Sequence, residues 1–144
     1  MERPRPVSLL AMGTVDYRLA RRAALTGLRS GFMSRAELCD AHPELMRAAR
    51  HIGEATDAAC PMCDDGELRI VFYTYGKDLR RENGRVRRAE DLADLQDRFA
   101  EFECYVVEVC VACSWNHLVR SFTAGYRHRA KGVMPLGRRR AQRR

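Results

Sequence analysis

Two Cys-x-x-Cys pairs, Cys60-Pro61-Met62-Cys63 and Cys110-Val111-Ala112-Cys113, constrain this chain more than any other feature. Zn²⁺ takes four ligands in a tetrahedron, and two close pairs of thiolates fill that shell from two turns of the backbone. Cys60, Cys63, Cys110 and Cys113 are therefore the expected ligands of one structural Zn²⁺. Such a site ties two distant stretches of chain together, so it restricts topology as well as chemistry. Compact sites usually separate their pairs by about 15–20 residues. Here 46 residues lie between Cys63 and Cys110, which requires an inserted strand, loop and helix between the two knuckles.

The rival use of a Cys-x-x-Cys pair is redox chemistry, in which the pair opens a helix after a strand and the helix dipole lowers the thiol pKa. Cys60 instead follows a polar stretch and precedes an Asp64-Asp65-Gly66 turn, which fits a metal knuckle better. Cys39 and Cys104 have no nearby partner in sequence and read as small buried apolar residues. His117, four residues after Cys113, is a substitute ligand only if one cysteine fails to serve.

The spacing of apolar residues sets out the rest. Residues 1–14 read as a flexible N-terminus. Residues 15–53 read as a helical unit. Asp16 is the expected N-cap of a first helix along Tyr17, Ala20, Ala24 and Leu28, with Ser30-Gly31 as its stop. Ser34-Arg35-Ala36-Glu37 has the pattern of a capping box, opening a short helix to about Asp40. His42-Pro43-Glu44 opens a third helix, with Leu45, Ala49 and Ile52 expected on its buried face. Three short helices permit a helix-turn-helix, but no exposed recognition set can be singled out, so a small packing bundle is the simpler reading.

Residues 54–125 read as a zinc-ribbon-like α+β unit. Residues 54–59 are expected to link the two units. Leu68–Tyr75 is β-branched and aromatic, hence a strand. Asn83-Gly84 marks a turn. Glu90–Phe102 places Leu92, Leu95, Phe99 and Phe102 on one face of an amphipathic helix. Glu103–Val109 and Trp115–Thr123 are strands on either side of the second knuckle, antiparallel across it. The expected fold class is α+β: N-terminal short helices joined to an expanded zinc-ribbon-like antiparallel sheet with one inserted helix.

Charge is distributed unevenly. The net charge is +7, yet residues 114–144 alone hold nine Arg or Lys and no acid. Residues 126–144 read as a basic flexible tail. Arg120, Arg127, Arg129, Lys131, Arg138, Arg139 and Arg140 are candidate phosphate contacts, with Trp115, Phe122 and Tyr126 as candidate stacking faces. The competing reading makes those aromatics core residues and the arginines a solubilising tail. No apolar run approaches the roughly 18–20 residues that span a bilayer. The N-terminal apolar stretch is short and lacks a small-x-small cleavage site, so a cytoplasmic protein is expected. No His-Glu-x-x-His, phosphate-binding glycine loop or serine elbow is present, and a four-cysteine shell leaves a metal no open position. The expectation is thus a non-enzymatic binding module. Its expected partner is nucleic acid or a nucleic-acid machine such as RNA polymerase or the ribosome. A protein–protein adaptor is the second reading and a thiol redox protein the third.

Several segments together resemble a small actinobacterial family, the domain of unknown function numbered 5318. They are residues 15–22, residues 39–43, Cys60-Pro61-Met62-Cys63, residues 105–110 and residues 115–121. The resemblance covers about residues 12–125. It implies a cytoplasmic bacterial protein and supplies no activity.

Overall fold

The computed structural model describes residues 13–128. Its elements run β1 (Val15–Asp16), α1 (Arg18–Ser30), α2 (Arg35–Leu38), α3 (Pro43–His51), β2 (Glu54–Ala59), β3 (Glu67–Tyr75), β4 (Arg85–Arg87), α4 (Ala89–Arg98), β5 (Phe102–Cys110) and β6 (Asn116–Ala124). The protein is α+β. Its six strands form one antiparallel sheet in the order β1-β6-β5-β3-β2, with β4 also paired to β3. β2 and β4 share one edge of β3: β2 pairs near its start and β4 near its end.

The central pairing explains how a distant pair of knuckles can meet. β3 runs antiparallel to β5 over its whole length, from Leu68 opposite Cys110 to Tyr75 opposite Glu103. The start of β3, just after the first knuckle, therefore lies beside the end of β5, just before the second. The intervening β4 and α4 fold back within the span, as the 46-residue separation requires.

Strand alternation sends successive side chains to opposite faces, and each face is covered by different helices. On one face Phe72, Cys104, Val106, Phe122 and Ala124 pack with Leu79 and with Leu92 and Leu95 of α4. On the other, Val71 and Val109 meet Met46, Ala48 and Ala49 of α3. A third cluster surrounds the knuckles: Leu38, Leu68 and Trp115 with Ala24, Leu25 and Leu28 of α1.

Local chemistry matches much of the sequence. Ser34 and Glu37 form the expected capping box, the Ser34 Oγ accepting from the Glu37 amide and the Glu37 carboxylate accepting from the Ser34 amide. Pro43 occupies the first turn of α3, and the His42 ring accepts from the Glu44 amide. Gly31, at φ 82°, supplies the left-handed residue that ends α1.

Other expectations are corrected. Residues 54–59 are a strand, stabilised by pairing with β3 although the segment has little β propensity of its own. Asp16 belongs to β1, opposite Arg120; its carboxylate still accepts from the Arg18 amide at 2.8 Å at the start of α1. α2 ends at Leu38. The buried residues of α3 are Met46, Ala48 and Ala49, while Leu45 and Ile52 are half-buried. α4 ends at Arg98, and Phe102 reaches the same core from β5. The residues 85–87 form a third short pairing that their polar composition conceals. Among the described residues, no helix is long and apolar enough to cross a membrane.

Candidate metal centre

The sheet brings Cys60, Cys63, Cys110 and Cys113 to one point, with all four sulfurs within 4.8 Å of one another. Cys60 and Cys113 Sγ are 3.6 Å apart, and Cys63 and Cys110 Sγ 3.7 Å. A tetrahedron with metal–sulfur bonds near 2.3 Å has edges of about 3.8 Å, and these two separations match that edge. These four cysteines could hold one metal ion.

The two knuckles repeat one backbone design. In each, the residue after the second cysteine takes a left-handed conformation: Asp64 at φ 56° and Ser114 at φ 70°. That twist turns following amides back toward the sulfurs. The first knuckle is closed by the Cys60 amide donating to the Gly66 carbonyl at 2.8 Å. The second is closed by the Cys110 amide donating to the Trp115 carbonyl at 2.9 Å and by the Ser114 amide donating to the Cys110 carbonyl at 3.0 Å. The Met62 amide points at Cys60 Sγ, 3.3 Å away.

The thiols feel opposing influences. Burial pushes the Cys60 and Cys113 thiols up, although the amides of Met62 and Trp115 favour the respective thiolates. Burial acts the same way on Cys63, but hydrogen bonds from the Asp65 amide and neighbouring thiols outweigh it and hold that thiol below its usual value. The knuckle amides thus partly compensate the desolvation of the thiolates that a metal would bind. Cys104 contrasts with them. It is buried on β5 in the α4 core, away from the cluster, and burial raises its thiol to about 12.

Gly66 is part of the site. A β-carbon there would lie 2.2 Å from Cys110 Sγ and 3.4 Å from Cys63 Sγ. Gly66→Ala is expected to push the sulfurs apart and weaken metal binding by roughly ten- to a hundredfold, the range seen when a site's supporting groups are altered. Competition against a chromogenic chelator measures it; unchanged affinity would remove Gly66 from the site.

A buried polar lock holds α1 beside the cluster. Glu108 Oε1 accepts from Trp115 Nε1 at 3.0 Å and from Arg21 Nε at 2.5 Å. The Arg21 guanidinium also lies 5.9 Å from the Trp115 ring centroid. His117, the substitute ligand considered from sequence, stacks on Trp115 and contacts the Leu118 carbonyl through Nδ1.

The candidate phosphate contacts are not gathered in this way. Arg120 lies on β6 with its guanidinium 5.8 Å from the Phe122 ring centroid, and Arg127 is exposed in the turn Tyr126–His128. Arg129, Lys131, Arg138, Arg139 and Arg140 lie outside the described residues, as does most of the expected basic tail. Trp115 and Phe122 are buried, so neither ring is open for a base to stack on; Tyr126 is exposed. Sequence reasoning missed an aromatic groove of about 470 Å³ on the α3 side of the sheet, lined by Leu45, Tyr73, Tyr75, Tyr105, Val107 and Leu118. Its signal was the tyrosine alternation in Tyr73-Thr74-Tyr75, which also suits a strand with a half-covered face.

The fold and the cysteines define the class: an α+β protein whose antiparallel sheet gathers two knuckles into one candidate metal centre. The chain belongs to the family of unknown function DUF5318, which matches residues 10–138. Uncharacterized proteins of Mycobacterium bovis and of two Mycobacterium tuberculosis strains are each 44% identical to it over 111 residues, covering 77% of this chain and 81% of the relative. No solved structure matches the chain.

Proposed function

We propose that the protein is a non-enzymatic, cytoplasmic zinc-ribbon-type binding module, with one Zn²⁺ held structurally by Cys60, Cys63, Cys110 and Cys113. The observation that carries this reading is the convergence of four sulfurs within 4.8 Å of one another beneath two matching knuckles. A four-thiolate shell suits Zn²⁺ or iron, and metal analysis separates them, since an iron–thiolate site is coloured and zinc is not. With four protein ligands the ion has no open position for substrate, so its role is to pin the fold.

Nucleic acid, or a machine built on it, is the proposed partner. The reading is supported by the nine Arg or Lys residues and absence of acids after the second knuckle. Each phosphate neutralised should contribute about −0.9 to the slope of log affinity against log salt on duplex DNA. Full-length protein is therefore expected to bind with a steep slope. Protein lacking residues 129–144 is expected to keep a shallower, measurable slope from the folded part. Complete loss of binding on truncation would reduce the interaction to an unspecific property of the tail. The adaptor reading is favoured by the tyrosine groove, an open apolar surface suited to a protein segment. Retention of a discrete protein in pull-downs from nuclease-treated lysate would decide for it.

A further inference from the structure

A fifth thiol stands against the four. Cys39 Sγ is 3.9 Å from Cys113 Sγ, although the two residues are 74 apart in sequence. Its position is fixed by the fold. Leu38, the preceding residue, is buried with Trp115 and Cys60. The Ala41 amide donates to the Ser114 carbonyl at 3.2 Å, and Asn116 Nδ2 donates to Asp40 Oδ1 at 3.0 Å. Residues 38–41 are thereby strapped to the second knuckle on both sides of Cys39. Cys39, Cys63 and Cys113 are partly exposed, whereas Cys60 and Cys110 are buried. Of the three thiols that solvent reaches, Cys39 and Cys113 lie against each other, so a thiol outside the ligand set faces a metal-ligand candidate.

We propose that Cys39 and Cys113 are an oxidative modification site, at which a peroxide joins them in a disulfide and so withdraws one ligand from the metal. The inference rests on the metal reading above. The Cys113 thiolate attacks the peroxide, the O–O bond breaks, and hydroxide leaves a sulfenic acid on Cys113. The Cys39 thiol then attacks that sulfur and expels water as the S–S bond forms. Two sulfurs supply the two electrons that reduce the peroxide. Three thiolates would remain, one short of the closed shell, so the ion would be held more weakly and would pass to a competing chelator. A thiol reductant restores both sulfurs and the site. Cys39 suits this role because its sulfur can attack without itself leaving the metal. The buried Cys104, in a different core, has no thiol beside it.

Full-length, metal-loaded protein treated with stoichiometric hydrogen peroxide tests this. Metal release is followed with a chromogenic chelator, and disulfides are mapped by mass spectrometry without reduction. The expected result is a Cys39–Cys113 cross-linked peptide that accumulates in step with metal release, both reversed by reductant. Cys39→Ser should load metal normally and release it at least about tenfold more slowly, because the thiol then left within reach of Cys113 is Cys60, itself a ligand candidate that would have to leave the metal to attack. Equal release rates in the variant, or a map showing only pairs among Cys60, Cys63, Cys110 and Cys113, would overturn the proposal. Mapping the unsubstituted protein decides the pairing even if the variant folds poorly. Protein that purifies without metal but forms the Cys39–Cys113 cross-link would overturn the metal reading, and ligand withdrawal with it, while leaving the oxidative pair intact, so the two failures are distinguishable.

Discussion

Cys110→Ser is expected to abolish retention of about one zinc per chain and to remove cooperative folding with it. Cys110 is fully buried, packs with Trp115 and Leu68, and lies opposite Leu68 in the β3–β5 pairing. Its loss removes a ligand at the point where sheet and knuckle join. Structural zinc in small peptides contributes on the order of 10–16 kcal/mol, while whole domains are stable by only about 5–15 kcal/mol. Losing most of the metal's contribution is therefore enough to unfold the chain. Elemental analysis with thermal unfolding followed by circular dichroism measures both effects. Cys104→Ala is the control. It is equally buried but belongs to the α4 core, so it should cost only about 1–2 kcal/mol and leave the metal in place. A Cys110→Ser protein that is metal-free yet unfolds cooperatively near the original temperature would refute a structural metal role.

Trp115→Ala should destabilise the protein by about 3–5 kcal/mol, the usual cost of emptying the space of a large buried aromatic. Trp115 is 0% exposed and is the largest fully buried side chain among the described residues. It fills the space between the cysteines, Leu38 and the α1 helix, and its indole N–H donates to buried Glu108. Truncation leaves both a cavity and a carboxylate with one donor fewer. Trp115→Phe separates the two losses: it restores most of the volume and omits the N–H, so it should cost about 1–3 kcal/mol. Denaturant unfolding of the metal-loaded proteins gives both numbers. Equal costs for Phe and Ala would place the effect in the hydrogen bond; a negligible cost for Ala would show that α1 does not depend on this packing.

These effects separate what was readable in the chain from what was not. The four candidate ligands are legible because their chemistry is encoded in spacing within each turn: two cysteines separated by two residues, followed by turn residues. The capping box at Ser34 and the proline-initiated α3 were legible for the same reason, since each depends on neighbours within one helical turn. β2 and β4 were not, because Glu54–Ala59 and Arg85–Arg87 become strands by pairing with β3, and their own side chains carry little β preference. The end of α4 is not legible because Phe102 continues the helical spacing of Leu92 and Leu95 and reaches the same core, but from a strand.

Trp115 and Phe122 show a second limit. Aromatics beside arginines can stack on a base or fill a core, and local sequence does not distinguish the two. Burial decided for the core.

The sequence by itself determined the identity of the four candidate ligands, the α+β class and the need for an insertion between the knuckles. Tertiary structure decided that the insertion folds back so that β3 and β5 pair along their full length, which is what brings Cys60–Cys63 and Cys110–Cys113 together. It also decided the neighbourhood of Cys39. Ligand spacing is set by a few backbone torsions within a turn, whereas the approach of Cys39 to Cys113 comes from the strap of residues 38–41 onto the second knuckle, made by side chains and backbone groups more than seventy residues apart.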